Sequence, residues 1–229
     1  MKIYAIGDLH LSGKPPSKPM EIFGKHWADH AAKVATNWHQ LIRSDDTVII
    51  CGDTSWAMDL QDALTDLNWI AALPGRKIIL RGNHDYWWTT TRKMENFLTA
   101  NGFDTLHILH NNACTVGNVA LCGTRGWPFD DTNAQDAKIM AREAGRLRMS
   151  LQAGGSAQKI AFLHYPPVYP GGCAQPLVDI LHEFGVQQCY YGHLHGKSIR
   201  GAIQREVDGI RYKLVSADGL HFCPYKICD

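Results

Sequence analysis

Five short segments of the chain carry residues able to bind metal or move protons: Asp8 and His10, Asp53, Asn83 with His84 and Asp85, His164, and His193 with His195. Seven of these donors are oxygens or imidazoles: Asp8, Asp53 and Asn83, with His10, His164, His193 and His195. No thiolate joins them, so the set suits Mn, Fe, Zn or Ni better than Ca or a structural thiolate zinc site. Seven donors exceed one tetrahedral site and match two neighbouring ions if one carboxylate bridges them. Two divalent ions a few ångströms apart clamp the attacking and leaving oxygens of an in-line phosphoryl displacement, and that is the reaction class these residue types indicate.

Such donors need elements that bring them together. Apolar or β-branched runs at 3–6, 48–50, 77–80, 160–163 and 188–191 read as buried strands, and each is followed by one of the five blocks. Open α/β sheets place their ligands at that carboxyl end. Gly7, Gly52, Gly82 and Gly192 directly precede Asp8, Asp53, Asn83 and His193, where glycine allows a sharp turn and a close approach of the backbone.

Helical patterns lie between the strands. Trp27, Ala31, Val34, Trp38, Leu41 and Ile42 form one apolar face. On the opposite stripe of His26, His30, Lys33 and Asn37, the two histidines have a chelating spacing but read as part of a solvated surface. Further helices are expected over 59–73, capped by Asp59, over 90–100, and as a charged insertion over 133–152. Gly117-Asn118 and Asp208-Gly209 predict two-residue hairpin turns, joining 114–116 to 119–122 and 203–207 to 210–215. The alternation predicts an α/β fold, one domain over 1–229 with a helical insertion near 127–156.

In order along the chain, Gly7-Asp8-Leu9-His10, Gly52-Asp53, Gly82-Asn83-His84-Asp85, His164 and Gly192-His193-Leu194-His195 resemble the motif blocks of the calcineurin-like metallophosphoesterases. Each block is weak alone, whereas their joint occurrence over most of the chain is specific. The resemblance implies a four-layer α/β/β/α sandwich of two mixed sheets with metals at its edge. It also implies that Asp8, His10, Asp53 and His195 hold one ion and that Asp53, Asn83, His164 and His193 hold the other, with Asp53 as the bridge. The implied cofactor is a pair of divalent transition-metal ions, Mn by expectation, with Fe, Zn or Ni as alternatives. The implied activity is hydrolysis of phosphomonoesters or phosphodiesters by a metal-bridging hydroxide. His84 would stabilise developing charge or protonate the leaving oxygen, and Asp85 would orient His84 and raise its basicity.

Composition bounds what remains. The 229 residues are 45% hydrophobic and 20% charged, an ordinary globular mixture, and 23 Lys+Arg against 22 Asp+Glu leave a formal charge of +1. A strongly basic footprint for nucleic acid is absent, so nucleic acid stays open as a substrate but is not indicated. Seven cysteines without a Cys-x-x-Cys suggest no disulfide framework, and neither a signal peptide nor an apolar span is recognisable, so the expectation is a cytoplasmic protein without membrane attachment. Gly192 to Ser198 mimics a phosphate loop but has three residues between its glycines where four are needed. Cys122 and Arg125 are too close for a cysteine phosphatase loop, and no Gly-x-Ser-x-Gly is present.

Substrate choice should lie in the neighbouring loops. Lys14 and Lys18 offer cations after the first block, and Arg125, followed by Trp127, offers a bidentate phosphate contact. Trp56, Trp87, Trp88 and Trp127 fall near strand ends, where core packing is the commoner use and base stacking the alternative. A small phosphorylated substrate is the expected partner; monoester, diester, nucleotide and phosphoprotein all stay open, and no pattern fixes an oligomeric state. The competing reading is a catalytically silent interaction scaffold on the same fold, the signature of which would be lost ligands.

Overall fold

A computed structural model describes residues 1–128 and 134–228. The first sheet has the order β13-β1-β2-β3-β4. It is built from β1 (Ile3–Ile6), β2 (Thr47–Cys51), β3 (Arg76–Leu80), β4 (Leu106–Leu109) and β13 (Tyr225–Cys228), all parallel except the last. The second has the order β11-β12-β10-β7-β6-β5, from β5 (Ala113–Val116), β6 (Val119–Thr124), β7 (Gln158–Leu163), β10 (Gln188–Tyr191), β11 (Glu206–Val207) and β12 (Ile210–Leu214). Its four central strands run parallel, and a hairpin closes each edge. A small ribbon of β8 (Val168–Tyr169) and β9 (Gly172–Cys173) stands apart.

Alternating side chains sort the strands into three cores. Ile3, Ala5, Ile49, Cys51, Ile78 and Leu80 point to the space between the sheets, where they meet Ile160, Phe162 and Tyr190. Their neighbours Tyr4, Ile6, Val48, Ile50 and Ile79 point outward, against helices α1 (His30–Leu41), α2 (Leu64–Ala71) and α3 (Thr91–Ala100). On the far side Ala161, Leu163, Cys189 and Tyr191 pack on α4 (Ala134–Ala153) and α5 (Gln175–Glu183). This is the expected α/β/β/α sandwich of two mixed sheets. Strands buried on both faces read as continuous apolar runs, which is why the five were visible in the sequence.

The expected strands at 3–6, 48–50, 77–80, 160–163 and 188–191 all form, and both hairpins turn where expected, with Val116 paired to Val119 and Val207 to Ile210. The helix over 90–100 forms with Thr90 accepting from the Lys93 amide as its cap. Other expectations need correction. Asp59 caps only a turn, its Oδ1 accepting from Asp62 N at 2.9 Å, and α2 begins five residues later. The stripe on α1 is not simply solvated: His30 donates to Leu9 O at 3.0 Å and Asn37 to Phe222 O at 3.0 Å, tying the helix to two loops. Trp27 precedes α1 in a short 3-10 turn and is buried there. The inserted helix is seen from Ala134, while its expected first residue, Asn133, lies outside the described residues. Among the described residues no helix is long and apolar enough to cross a membrane.

Candidate metal centre

The carboxyl ends of the two sheets are knitted together by backbone hydrogen bonds. Gly7 N donates to Val215 O at 2.7 Å and Ala217 N to Gly7 O at 3.0 Å, joining the end of β1 to the end of β12. Asp8 N donates to Gly52 O and His10 N to Asp53 O, so the first two blocks run side by side. The strand ends from which the seven donors come therefore meet at one edge of the sandwich. Three of the strands, β1, β2 and β3, belong to the first sheet, and β7 and β10 to the second.

Close packing there depends on glycine. A Cβ on Gly82 would collide with the carboxylate and amide of Asp53, and one on Gly52, already at φ +85°, would come within 2.7 Å of His164 Nδ1. Asp8, His10, Asp53 and His193 themselves adopt positive φ, between 47° and 74°. Backbone held in this sparsely populated region costs of order 1–3 kcal/mol per residue and collects at functional sites.

Five donors converge tightly. His195 Nε2 lies 3.4 Å from Asp8 Oδ1 and 3.3 Å from His10 Nε2; Asp53 Oδ2 lies 3.8 Å from His10 Nε2 and 3.6 Å from His164 Nε2. Among the described residues two three-residue groups have metal-binding spacing, Asp8 with His10 and His195, and Asp8 with Asp53 and His164. Asn83 joins through Oδ1, 2.7 Å from His164 Nε2. His193 stands one step out, its ring 5.1 Å from that of His164 and 4.3 Å from that of Tyr165.

The donor chemistry fits divalent ions. Asp8 and Asp53 are fully buried, and among the described residues their ion-pair partners are histidines, with no Lys or Arg. Buried carboxylates without a cation are costly. His164 donates Nδ1–H to Cys51 O at 3.0 Å, leaving Nε2 as an acceptor that faces the Asn83 carbonyl oxygen, an opposition that a cation relieves. His195 likewise donates Nδ1–H to Asp218 Oδ1 at 2.9 Å and turns Nε2 inward.

Without an ion, protons fill the gap. Burial and the neighbouring Asp8 push the Asp53 carboxyl up to about 8. Burial opposes the shift of Asp8, but His195, His164 and His10 hold it well below the usual carboxylate range. Against its own burial, His195 is raised to about 10 by Asp8 and Asp218. His84 is pushed down to about 4 by burial, His164 and Lys18, and His193 to about 4 by burial and His164.

His84 sits at the mouth. Its amide donates to Asp53 Oδ1 at 2.7 Å, its ring lies 5.9 Å from that of His10, and Nδ1 is 3.1 Å from the Tyr86 hydroxyl. Asp85 does not orient it. The buried Asp85 carboxylate accepts from the amides of Thr54, Ser55 and Gly82 and from Trp87 Nε1, so its acceptor sites are spent on the loops beneath. Arg125 and Trp127 are also engaged inside the fold, the guanidinium 3.7 Å from Glu143 and 4.7 Å from the Trp127 ring, and Trp127 Nε1 donating to Asp136. The expectation that they contact substrate has no geometric support. Trp87 and Trp88 are core residues.

Sequence reasoning missed Asp218 and Trp27. Asp218 follows β12, a strand with no ligand block, and the parallel pairing of β12 with β10, with the Gly7–Ser216 bridge beyond it, brings it to His195. Trp27 read as a helix-face residue, yet its ring lies 5.6 Å from His195 and 6.0 Å from His10.

A family model described as calcineurin-like phosphoesterase matches residues 1–197. The Gene 66 protein of Mycobacterium phage L5 is 39% identical over 82 residues, 34% of this chain and 37% of that protein, so the match spans about a third of the curated relative's length. A protein of unknown function from Aquifex aeolicus has a similar fold, with TM-score 0.55 at 15% identity over 98% of this chain and 95% of that one. The Thermus thermophilus protein TT1561 has a TM-score of 0.51 at 12% identity, over 85% of this chain and 82% of its own.

Proposed function

The chain belongs to the calcineurin-like phosphoesterase family, and on that premise we propose that it is a two-metal phosphohydrolase acting on phosphomonoesters or phosphodiesters. The observation that carries this reading is the convergence of two buried carboxylates, paired by no Lys or Arg among the described residues, with inward-facing imidazoles from both sheets. Asp8, His10, Asp53 and His195 would hold one ion, and Asp53, Asn83, His164 and His193 the other; Asp53 Oδ2, between His10 and His164, suits a shared ligand. Mn is the proposed metal, with Fe, Zn or Ni as alternatives. When bound, the ions would bring the pKa of water to about 7 and neutralise the phosphoryl oxygens.

The chain's own residues do the rest. Asp218 takes Nδ1–H of His195, and Cys51 O that of His164, so Nε2 is the nitrogen each ring turns inward, the one that an ion would bind once His195 gives up its second proton. His84, neutral in the free site, would gain its proton as the phosphoryl anion arrives and deliver it from the ring to the leaving oxygen. A small phosphorylated substrate in the cytoplasm is the proposed setting. The test is hydrolysis of an aryl phosphate monoester and an aryl phosphate diester with added Mn, before and after chelation. Chelator-sensitive turnover supports the reading, and absence of turnover with every divalent ion refutes it.

A further inference from the structure

A cleft of about 280 Å³ opens beside the centre; the rings of His10, His84 and His195 form its floor, and Met20, Phe23 and Trp27 its walls. That volume lies just below the range of ordinary small-molecule sites and suits one compact ligand, not a duplex or a folded protein. Phe23 is 56% exposed at the rim of this imidazole floor, on a short turn whose Met20 is buried and whose Ile22 does not line the cleft. The rim is preformed: Ser12 Oγ donates to Lys18 O at 3.1 Å and accepts from Lys18 N at 3.2 Å, and Gly13 N donates to Asp66 Oδ1 at 2.8 Å.

Trp56 completes the enclosure without offering a platform. His10 stacks on it at 5.0 Å with the planes 22° apart, and Lys18 Nζ stands 3.1 Å from its ring centroid. The exposed Phe23 ring therefore offers the packing surface for a ligand ring, backed by the buried Met20 and Trp27, with the Lys18 ammonium over Trp56 available to a nearby anionic oxygen. His84 lines the same cleft. If His84 protonates the leaving oxygen, the group carried by that oxygen lies here.

We propose that this cleft is a leaving-group subsite selecting phosphoesters of flat aromatic alcohols, a proposal that rests on the phosphohydrolase reading. In the reaction, water oxygen bonds to phosphorus and keeps one hydrogen, the bond from phosphorus to the aryl oxygen breaks, that oxygen leaves with the His84 proton as a phenol, and the other water proton replaces the one His84 gave up. The alternative occupants, aliphatic groups, gain less from aromatic walls.

The experiment compares kcat/KM for 2-naphthyl and phenyl phosphate, whose phenols are of similar acidity, so that ring area dominates the difference. The wild type is expected to favour the naphthyl ester by about tenfold. Phe23→Ala should bring the ratio close to one, while Ile22→Ala, at a residue 70% exposed and outside the cleft, should keep it. In parallel, the Met20 methyl resonance should shift with naphthylmethylphosphonate, which cannot be hydrolysed, and stay in place with methylphosphonate. Hydrolysis with equal kcat/KM for both esters, or a ratio indifferent to Phe23→Ala, overturns the subsite and leaves the hydrolase reading standing. No hydrolysis of either ester or of the matching diaryl phosphate diesters, with the Met20 shift intact, overturns the hydrolase reading and keeps the aromatic pocket.

Discussion

Nδ1 of His195 donates to Oδ1 of Asp218 across 2.9 Å, so a residue outside all five ligand blocks decides which nitrogen of His195 faces Asp8. Asp218 Oδ2 also accepts from Gly196 N, fixing the loop that carries the histidine. Carboxylate partners of this kind typically alter metal affinity by about 10- to 100-fold. Asp218→Asn should weaken metal binding by that order, read by competition with a chelating dye, while thermal unfolding of the metal-free protein changes little. Unchanged affinity would remove Asp218 from the site.

Metal uptake should release protons. In the free site His195 is raised to about 10 and Asp53 to about 8, so at neutral pH both hold protons that a cation must displace. The sign follows directly: as pH falls below 7 protons compete harder and affinity drops, and as pH rises toward 8 Asp53 ionises and affinity climbs. Titration with Mn in weak buffer containing an indicator should acidify the solution at pH 7. A titration that binds metal with no acidification contradicts these protonation states.

His84 and Asp85 are neighbours with separable roles. His84→Ala should lower kcat by roughly 10²–10⁴-fold while both metals are retained, as for loss of a positioned acid or base. Asp85→Ala strands four buried donors, Thr54 N, Ser55 N, Gly82 N and Trp87 Nε1, and should cost about 3 kcal/mol or more in unfolding free energy. Denaturant unfolding of both variants checks this; a stable Asp85→Ala protein with lost turnover would restore the orienting role.

Legibility in the sequence followed physical cause. Strands buried on both faces leave unbroken apolar runs, so β1, β2, β3, β7 and β10 could be found, and the donors after them with them. The helix from Thr90 carried a cap in its sequence; α5, with no capping side chain, did not. β13 was missed because its place is set by antiparallel pairing to β1 over more than 200 residues of chain, a relationship with no local signature. Asp85 illustrates the opposite failure. Adjacency to His84 suggested a partnership, but the turn at Gly82 points its carboxylate down into three loop amides.

Away from the centre, Lys77 gives the fold a titration of its own. Its buried ammonium donates to Ala71 O at 3.1 Å, at the end of α2, and to Leu73 O at 2.5 Å just beyond it, and burial lowers its pKa from 10.5 to about 8. The folded state therefore holds fewer protons than the unfolded chain between those values, so this group's contribution to stability rises with pH across the window. Unfolding free energy of the wild type minus that of Lys77→Met should increase from pH 8 to pH 10.5. A flat difference would mean that the ammonium is not desolvated.

On the proposed function, the buried carboxylates and imidazoles hold two ions. Elemental analysis of the purified protein, in the wild type and in Asp53→Asn, tests it most directly. About two transition-metal ions per chain are expected in the wild type, fewer than one in the variant, and recovery of the wild-type count when metal is returned after chelation. A wild-type protein that stays folded and binds no transition metal under any of the ions Mn, Fe, Zn or Ni would contradict it and favour a silent scaffold.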